Sequence, residues 1–426
     1  MGRRRARAVL AVIGALSLAA CAPGTGGVSG DGGGSDVTLS VWSWRTEDRQ
    51  GYEKIFDVYE KKHPGVTIKF RAIKNTQYET VLRNALSKSA VPDVAQLKPY
   101  GGLQPLVAGN YLVPLKGKVD FSGWSQDVLA GARGKKDGKI YGVPFGIQTL
   151  QVFYNKKVFA EHGISVPKTW QQMVNASKKL KKAGVTPFAV GGKDTWILPM
   201  VHETFGASRY GGEKFVQKVR SGETKFTDSD YVASMKLLEQ LKPYFPKDVA
   251  AVPYTDSQVL FTSGQAAMFP GGAFELGFFQ DKAPDMKLGV FEVPPPPGAK
   301  VQHPLTPGWV DGSYGVNAKT KHKKQALELV RWMATKEFGQ LFTDTLKQIS
   351  PVPGVQPQNK LLATMRKNYK RHGTPYHMLV YFGYGEPAGK DLLGQQLQKI
   401  LLGETSAKKA ADSVQRGISQ WYEPGT

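Results

Sequence analysis

Strands and helices alternate at the start of the folded part of this sequence, and this alternation constrains the fold more than any other feature. Apolar and polar residues alternate over residues 37–44, as is typical of a strand. Tyr52, Ile55, Phe56 and Tyr59 then recur at the spacing of one helix face. The same signals continue as strand, helix and strand near residues 66–70, 77–89 and 92–94. The pattern β-α-β-α-β predicts an α/β fold with an open parallel sheet.

The rest of the chain repeats this style without an internal repeat. Val152–Tyr154 is predicted as a strand, and Thr169 with Gln172 forms a capping box that begins a helix ending at Gly184. Four further helices are predicted near residues 323–335, 337–346, 392–402 and 406–421. At about 100 to 200 residues per domain, 426 residues make roughly two to four units.

The single cysteine, Cys21, excludes an intramolecular disulfide and a cysteine-based zinc cluster. Four arginines at positions 3, 4, 5 and 7 and an apolar run over 8–20 precede Cys21, as in a secretory signal. The run ends in Leu-Ala-Ala-Cys, which resembles the lipobox of bacterial lipoproteins. We therefore predict a signal peptide at 1–20, lipidation of Cys21 and a glycine-rich tether at 21–36. The alternative is a small buried cysteine near an ordinary cleavage site.

The net charge of +22 raises nucleic acid or an anionic surface as a partner. The basic residues are spread along the chain in pairs, mostly on the polar faces of predicted helices, and no nucleic-acid motif accompanies them. The sequence therefore predicts no nucleic-acid partner. A basic surface resting on anionic lipid or wall polymer fits an exported, anchored protein better.

The common signatures of hydrolases, metalloproteases and nucleotide-binding proteins are absent from the sequence. Two carboxylates could still pair across a cleft as in a glycosidase, and the sequence selects no such pair. We therefore predict no enzyme activity, no cofactor and no metal. An anchored extracellular glycoside hydrolase remains the alternative from another class.

Aromatic, amide and carboxylate residues cluster where strands are predicted to meet helices. In open α/β sheets, ligands bind beyond the carboxyl ends of the strands. Flat rings pack on the CH faces of a sugar, and Asp, Glu and Gln pair with its hydroxyl groups. The clusters thus favour a polyhydroxylated ligand, the alternative being that the tryptophans are core residues. They lie at residues 42–47, 148–149, 194–196, 271–275 and 308–312.

Several short motifs, in order, resemble the extracellular sugar-binding proteins of bacterial ABC importers, the family that includes maltose-binding protein. The resemblance covers nearly all of the chain after the tether. Its markers are the segments at 37–44, 62–66, 91–94, 137–145, 153–156, 167–170, 264–268 and 334–340.

The resemblance implies a two-lobed, periplasmic-binding-protein-like α/β fold of the class II type, with open, mainly parallel sheets flanked by helices and a ligand cleft between the lobes. The first lobe is expected to take residues 37–145 and 308–350, and the second 146–307 and 351–426. Crossovers between them are expected near 144–149, 304–312 and 350–354.

The same resemblance implies the ligand-binding residues, carried over motif by motif. Phe274 falls where relatives often have a tryptophan, so the sugar preference of those relatives does not transfer. Glu275 is included as the carboxylate that follows Phe274 in the same cluster. The C-terminal aromatics at 381–384 stay unassigned. The predicted residues are Trp44, Thr46, Glu47, Lys98, Tyr100, Gln148, Asp194, Trp196, Phe274, Glu275, Trp309 and Asp311.

The resemblance implies a receptor on the extracellular face of the cell membrane, or on the periplasmic side where an outer membrane exists. It would be a lipid-anchored monomer that captures a mono- or oligosaccharide and hands it to permease subunits driven by a separate ATPase. A receptor for a non-sugar solute is the alternative within the same class.

Overall fold

The computed structural model describes residues 36–425; the predicted signal peptide, Cys21 and almost all of the tether lie outside them. The described strands are β1 (Val37–Ser43), β2 (Val66–Ala72), β3 (Val94–Leu97), β4 (Val143–Asn155), β5 (Thr186–Phe188), β6 (Ala266–Gly272), β7 (Leu288–Phe291), β8 (Thr306–Val316) and β9 (Gly373–Pro375).

The described α-helices follow the same chain order. They are α1 (Arg49–Lys62), α2 (Asn75–Lys88), α3 (Gln104–Ala108), α4 (Gln126–Ala130), α5 (Lys156–Glu161), α6 (Trp170–Lys182), α7 (Ile197–Tyr210), α8 (Glu213–Ser221), α9 (Ser229–Leu241), α10 (Tyr254–Thr262), α11 (Glu275–Lys282), α12 (Lys323–Met333), α13 (Lys336–Leu346), α14 (Lys360–His372), α15 (His377–Val380), α16 (Gly389–Leu402) and α17 (Ala407–Ile418). Short 3-10 helices lie at Tyr100–Leu103, Lys242–Tyr244 and Val249–Ala251.

The first five elements alternate as predicted from the sequence. β1 pairs in parallel with β2 on one side and with β3 on the other. The four apolar residues that predict α1 are its buried face. At α6, the Thr169 hydroxyl accepts a hydrogen bond from the Gln172 amide at 3.2 Å, so the predicted cap is present. The Gln172 side chain bonds to the Lys168 amide instead of closing the box on Thr169.

Two long antiparallel strands, β4 and β8, run through the middle of the molecule. The first half of β4 pairs with β8, and its second half pairs with β6 and β7. The strand order is β2-β1-β3-β8-β4-β6-β5, with β7 beside β4 and β9 beside β8. The expected mainly parallel sheets are therefore mixed, because every strand that pairs with β4 runs antiparallel to it.

The residues of β4 and β8 are divided between two hydrophobic cores. The first contains buried residues of 37–145 together with residues of 314–355. The second contains residues of 150–310, Ile349 and residues of 362–418. This arrangement, with helices packed on each part of the sheet, is the two-lobed α/β fold that the sequence predicts.

Packing also bears on where the lobes begin and end. Trp309 and Val310 belong to the second core, whereas Tyr314 belongs to the first. Val352 and Val355 return to the first core after the chain touches the β4–β8 ladder at Ile349. We propose that the second crossover lies near residue 311, within the expected 304–312, and the third between residues 355 and 360, just beyond the expected 350–354.

A polar cluster is buried within the second core. Glu203 on α7, His202 beside it and His377 on α15 are fully buried, and Tyr210 nearly so. The Glu203 Oε1 atom lies 3.2 Å from His377 Nδ1 and 3.5 Å from His202 Nδ1. The Tyr210 hydroxyl donates to Glu203 Oε2 at 2.6 Å. These contacts hold a carboxylate inside an otherwise apolar lobe.

Candidate functional site

The predicted binding residues lie where the two cores meet, but two of the five clusters are placed differently from the prediction. Residues 148–149 and 308–312 were expected at junctions between strands and helices. They lie instead within β4 and β8, because both strands continue through the region between the lobes and no helix follows there. Gln148 is therefore held by its pairing with Trp309, whereas Asp311 lies at a break in the register between the two strands.

A chain of hydrogen bonds links these two residues to the third segment between the lobes. Gln148 Nε2 donates to Asp311 Oδ2 and to Gln348 Oε1, both at 3.1 Å. Gln348 Nε2 in turn donates to Asp48 Oδ2 at 2.8 Å. Gln148 Oε1 is buried and has no hydrogen-bond partner among residues 36–425. That oxygen is a free acceptor between the lobes.

Arg45 carries the same chain from the first lobe to the second. Its Nε donates to Asp48 Oδ2 at 2.5 Å, and its Nη2 donates to the Phe274 carbonyl oxygen at 3.2 Å. The guanidinium carbon also lies 5.1 Å from the centre of the Phe274 ring. Burial raises the pKa of Asp48, and the adjacent Arg45 charge opposes that rise. The ion pair thus sits in a desolvated contact between the lobes.

Tyr254 contacts three predicted residues of the second lobe. Its amide donates to Asp194 Oδ2 at 2.9 Å, and its ring meets the Trp196 ring edge-on at 4.8 Å. Its hydroxyl donates to Glu275 Oε1 at 2.7 Å, next to Phe274 in the chain.

Glu275 is fully buried, and Gln258 Nε2 donates to its second oxygen at 2.8 Å. Burial raises the pKa of Glu275 to about 7, although the two hydrogen bonds and the charge of Arg45 lower it in part. The site thus contains a carboxyl group that changes charge near neutral pH.

Lys98 and Trp44 form the part of the site that follows β1 and β3. Lys98 Nζ lies 4.0 Å from the centre of the Trp44 ring and donates to Asn75 Oδ1 at 2.6 Å. Burial lowers the pKa of Lys98 to about 8, against the attraction of Glu79 and Asp311. Trp44 itself is only 5% exposed and belongs to the first core, so most of its ring is already covered.

Tyr100 extends from the first lobe into the second core. Its hydroxyl accepts a hydrogen bond from the Val310 amide at 3.2 Å, and its backbone has a left-handed φ of +55°. Trp309, the neighbour of Val310, is 4% exposed and meets the Tyr376 ring at 5.4 Å. Trp309 is thus packed into the second core, whereas Trp196 is partly exposed.

Two further predicted residues, Thr46 and Glu47, are exposed. Burial lowers the pKa of Arg45 and raises the pKa of Glu275. The charge of Glu47 raises both pKa values, so Glu47 lies within electrostatic reach of the site. Thr46 makes no side-chain hydrogen bond within the described part of the chain. The structure thus links eleven of the twelve predicted residues by contacts or charge and leaves Thr46 apart.

The lobes also touch at the C-terminal aromatics. A Cβ atom added to Gly101 would come within 1.7 Å of the Gly383 carbonyl oxygen, so the two backbones are in close contact. Lys135 Nζ lies 5.3 Å from the centre of the Tyr384 ring. This second contact involves the segment after β9, whereas the contact between Arg45 and Phe274 involves the segment after β6.

Comparison with known proteins identifies the family. The family model for bacterial extracellular solute-binding proteins matches residues 42–340, which is more than half of the chain. This chain belongs to the bacterial extracellular solute-binding protein family.

Relatives within the family are distant in sequence. The multiple sugar-binding protein of Streptococcus mutans is 26% identical over 84% of this chain and 86% of its own length. The melibiose/raffinose/stachyose-binding protein of Bacillus subtilis is 24% identical over 70% of each chain. Among solved structures, a chitin oligosaccharide binding protein superposes with a TM-score of 0.75 at 24% identity, covering 91% of this chain and 99% of its own. That structural likeness supports the two-lobed fold.

Sequence reasoning missed several residues of this solute-binding protein's cleft, chiefly Arg45, Asp48, Tyr254 and Gln348. Arg45 follows the predicted Trp44 in the sequence. Its position three residues before Asp48 is only a weak sign that the two residues form an ion pair. Tyr254 and Gln348 carry no local signal, because only the fold brings them to the cleft. Within residues 36–425, no three His, Asp or Glu side chains are grouped to hold a metal, and no helix is long and apolar enough to cross a membrane.

Proposed function

We propose that this solute-binding protein is an extracellular receptor that binds a sugar between its lobes and delivers it to the permease subunits of an ABC importer. The family match supports the receptor role. The names of the relatives from S. mutans and B. subtilis support a sugar, because both are sugar-binding proteins.

One observation carries the proposal: aromatic rings and buried polar groups of the two lobes lie close together in the region where the two cores meet. Trp196 presents a partly exposed ring beside Tyr254, and Glu275 and Gln148 present buried carboxyl and amide groups. Arg45 of the first lobe reaches Phe274 of the second. Rings and hydrogen-bonding groups in this combination suit the CH faces and hydroxyl groups of a sugar. On this basis we propose ten of the twelve predicted residues as the ligand-binding set, leaving out Trp309, which packs into the second core, and Thr46, which lies apart.

We further propose that the receptor is a monomer held on the outer face of the cell membrane by a lipid on Cys21. The lipobox-like sequence and the glycine-rich tether support the anchor. A Cys21→Ser variant should lose metabolic labelling by a fatty acid and be secreted or left unprocessed. A Ser29→Ala variant in the tether is the matched control and should label normally. Labelling that persists without Cys21 would contradict the anchor.

A thermal-shift screen tests the sugar proposal. The panel should include melibiose, raffinose and stachyose with glucose, galactose and maltose. Because a ligand at 100 times its Kd adds about 2.7 kcal/mol to the free energy of unfolding, a true ligand gives a clear shift in melting temperature. No shift with any sugar, together with a shift for a peptide or polyamine, would indicate a receptor for another solute.

We expect binding without a chemical step, since the named relatives are binding proteins. Prolonged incubation with a bound oligosaccharide, followed by chromatography of the products, tests this directly. Recovery of the intact sugar at one molecule per chain supports the receptor. Progressive cleavage would indicate a glycoside hydrolase instead.

A further inference from the structure

One buried side chain, Gln348, bonds to both Asp48 and Gln148 in the region between the lobes without belonging to the predicted binding set. It is 1% exposed and lies just after α13, beside the backbone bridge between Ile349 and Ile147. Its amide nitrogen bonds to Asp48 of the first lobe, and its amide oxygen accepts from Gln148 of β4. Both polar atoms of its amide are therefore satisfied by protein.

The two partners of Gln348 lead in different directions. Through Asp48 and Arg45, the chain of hydrogen bonds continues to the Phe274 carbonyl of the second lobe. Through Gln148, it continues to Asp311 on β8. The contact of Arg45 with Phe274 joins the two lobes, so this chain is complete only while they approach each other.

The far end of this chain presents an unused acceptor. Gln148 Oε1 is buried without a hydrogen-bond partner among the described residues, although its own Nε2 makes two bonds. An unpaired buried acceptor destabilises the folded state relative to a paired one. A ligand hydroxyl that donates to this oxygen would remove that destabilisation and fix the amide plane of Gln148, which in turn fixes the bond to Gln348.

We propose that Gln348 is a positioning residue that couples ligand contact at Gln148 to closure of the lobes at Arg45 and Phe274. It would act by holding Asp48, and so the Arg45 guanidinium, in the orientation that meets the second lobe. This inference rests on the proposed function for the ligand, but its effect on the lobes is measurable without any ligand.

The test compares Gln348→Met with a control variant by electron–electron spin distance measurement in a Cys21→Ser chain. Spin labels at exposed positions of α2 and α8, introduced by Arg83→Cys and Lys218→Cys, report the separation of the lobes. Gln348→Met keeps the side-chain length and removes both hydrogen bonds. Gln395→Met, at an exposed position of α16, is the matched control.

Without sugar, Gln348→Met should shift the distance distribution toward longer separations, and Gln395→Met should leave it unchanged. Gln348→Met should also weaken binding of whichever panel sugar binds the native protein about tenfold, the cost of one buried hydrogen bond, mainly through faster dissociation. A distribution identical to that of the native protein would overturn the proposal, even if affinity or melting temperature fell. Failure of every sugar to bind would instead refute the proposed function, and the distances measured without sugar would still decide the role of Gln348.

Discussion

At the scale of single residues, Glu275 combines full burial with a place beside the contact between the lobes. Its pKa is raised from the usual 4.5 to about 7, mainly by burial. The folded protein thus holds the carboxyl proton more tightly than the unfolded chain does. The contribution of Glu275 to stability is then most favourable below about pH 4.5, falls as the pH rises toward 7, and carries the full penalty above 7.

Replacing Glu275 with Gln should flatten this pH dependence. Glutamine cannot ionise. The change in unfolding free energy between about pH 4.5 and 7 that comes from Glu275, at most about 3 kcal/mol, should therefore disappear. Urea unfolding at pH 4.5, 6 and 7.5 measures the slope. The exposed Glu239→Gln is the control and should keep the native slope. An unchanged slope in Glu275→Gln would mean that Glu275 ionises normally.

Trp196 and Trp309 should respond differently to truncation. Trp196 is partly exposed beside Tyr254, so Trp196→Ala should weaken sugar binding by about 0.5–1.5 kcal/mol with little loss of stability. Trp309 is 4% exposed in the second core, so Trp309→Ala should cost about 3–5 kcal/mol of unfolding free energy. Calorimetric titration and urea unfolding on each variant separate the two effects. Equal stability losses would place Trp196 in the core as well.

How far the sequence predicts a site residue depends on how local its determinants are. Trp44 and Lys98 follow β1 and β3, two strands that the alternation of strand and helix signals makes visible in the sequence. Their places at the ends of these strands could therefore be predicted. The left-handed backbone of Tyr100 could not, because a bulky residue there is strained and is held by its bond to Val310. Gln348 meets Asp48 across 300 residues, and no local pattern encodes such a contact.

At the scale of elements, α7 is distinguished by the carboxylate it buries. Burial raises the pKa of Glu203, but the charge of His377 and hydrogen bonds from both histidines outweigh it and lower the pKa to about 2. Because the folded state then prefers the ionised form, Glu203 adds stability above about pH 4.5. That contribution is lost as the pH falls toward 2.

Glu203→Gln should therefore destabilise the protein at neutral pH and make it less sensitive to acid. Breaking a buried charged pair costs about 3–5 kcal/mol, because the remaining partner is left buried. Thermal unfolding between pH 2.5 and 7, followed by circular dichroism, measures both effects. The exposed Glu223→Gln should reproduce the native profile. A native acid limb in Glu203→Gln would show that other groups govern acid unfolding.

Elements with strong internal patterns could be predicted, and those defined by partners could not. α1 and α6 have clear apolar periodicity, α6 also has the Thr169 cap, and both helices are present. β5 and β9 have three residues each and exist only because β6 and β8 lie beside them. The length of β4 and β8 is also set by pairing with other strands, which no local pattern shows. For that reason the sequence predicts their central residues at junctions with helices.

At the scale of the whole molecule, closure depends on close contact between Gly101 and Gly383. An alanine Cβ at position 101 would lie 1.7 Å from a backbone oxygen that cannot move away without moving the second lobe. Gly101→Ala should therefore keep the lobes apart, increase the radius of gyration and weaken sugar binding, while each core stays folded.

Small-angle scattering with and without a bound sugar measures this effect. The native protein should contract on binding, because a ligand that contacts both lobes favours the closed state. Gly117→Ala is the control: no atom lies within 4 Å of the added Cβ, and its φ of +71° should cost only about 1–2 kcal/mol. Contraction of Gly101→Ala equal to that of the native protein would show that this contact does not limit closure.

The contact between Lys135 and Tyr384 makes the receptor suitable as an optical sensor. Lys135 is exposed on the first lobe, and its side chain lies against a ring that belongs to the second. An environment-sensitive dye attached through Lys135→Cys, with Cys21 replaced, would exchange water for an aromatic neighbour each time the lobes meet. Its emission would convert sugar concentration into a fluorescence signal without a second reagent.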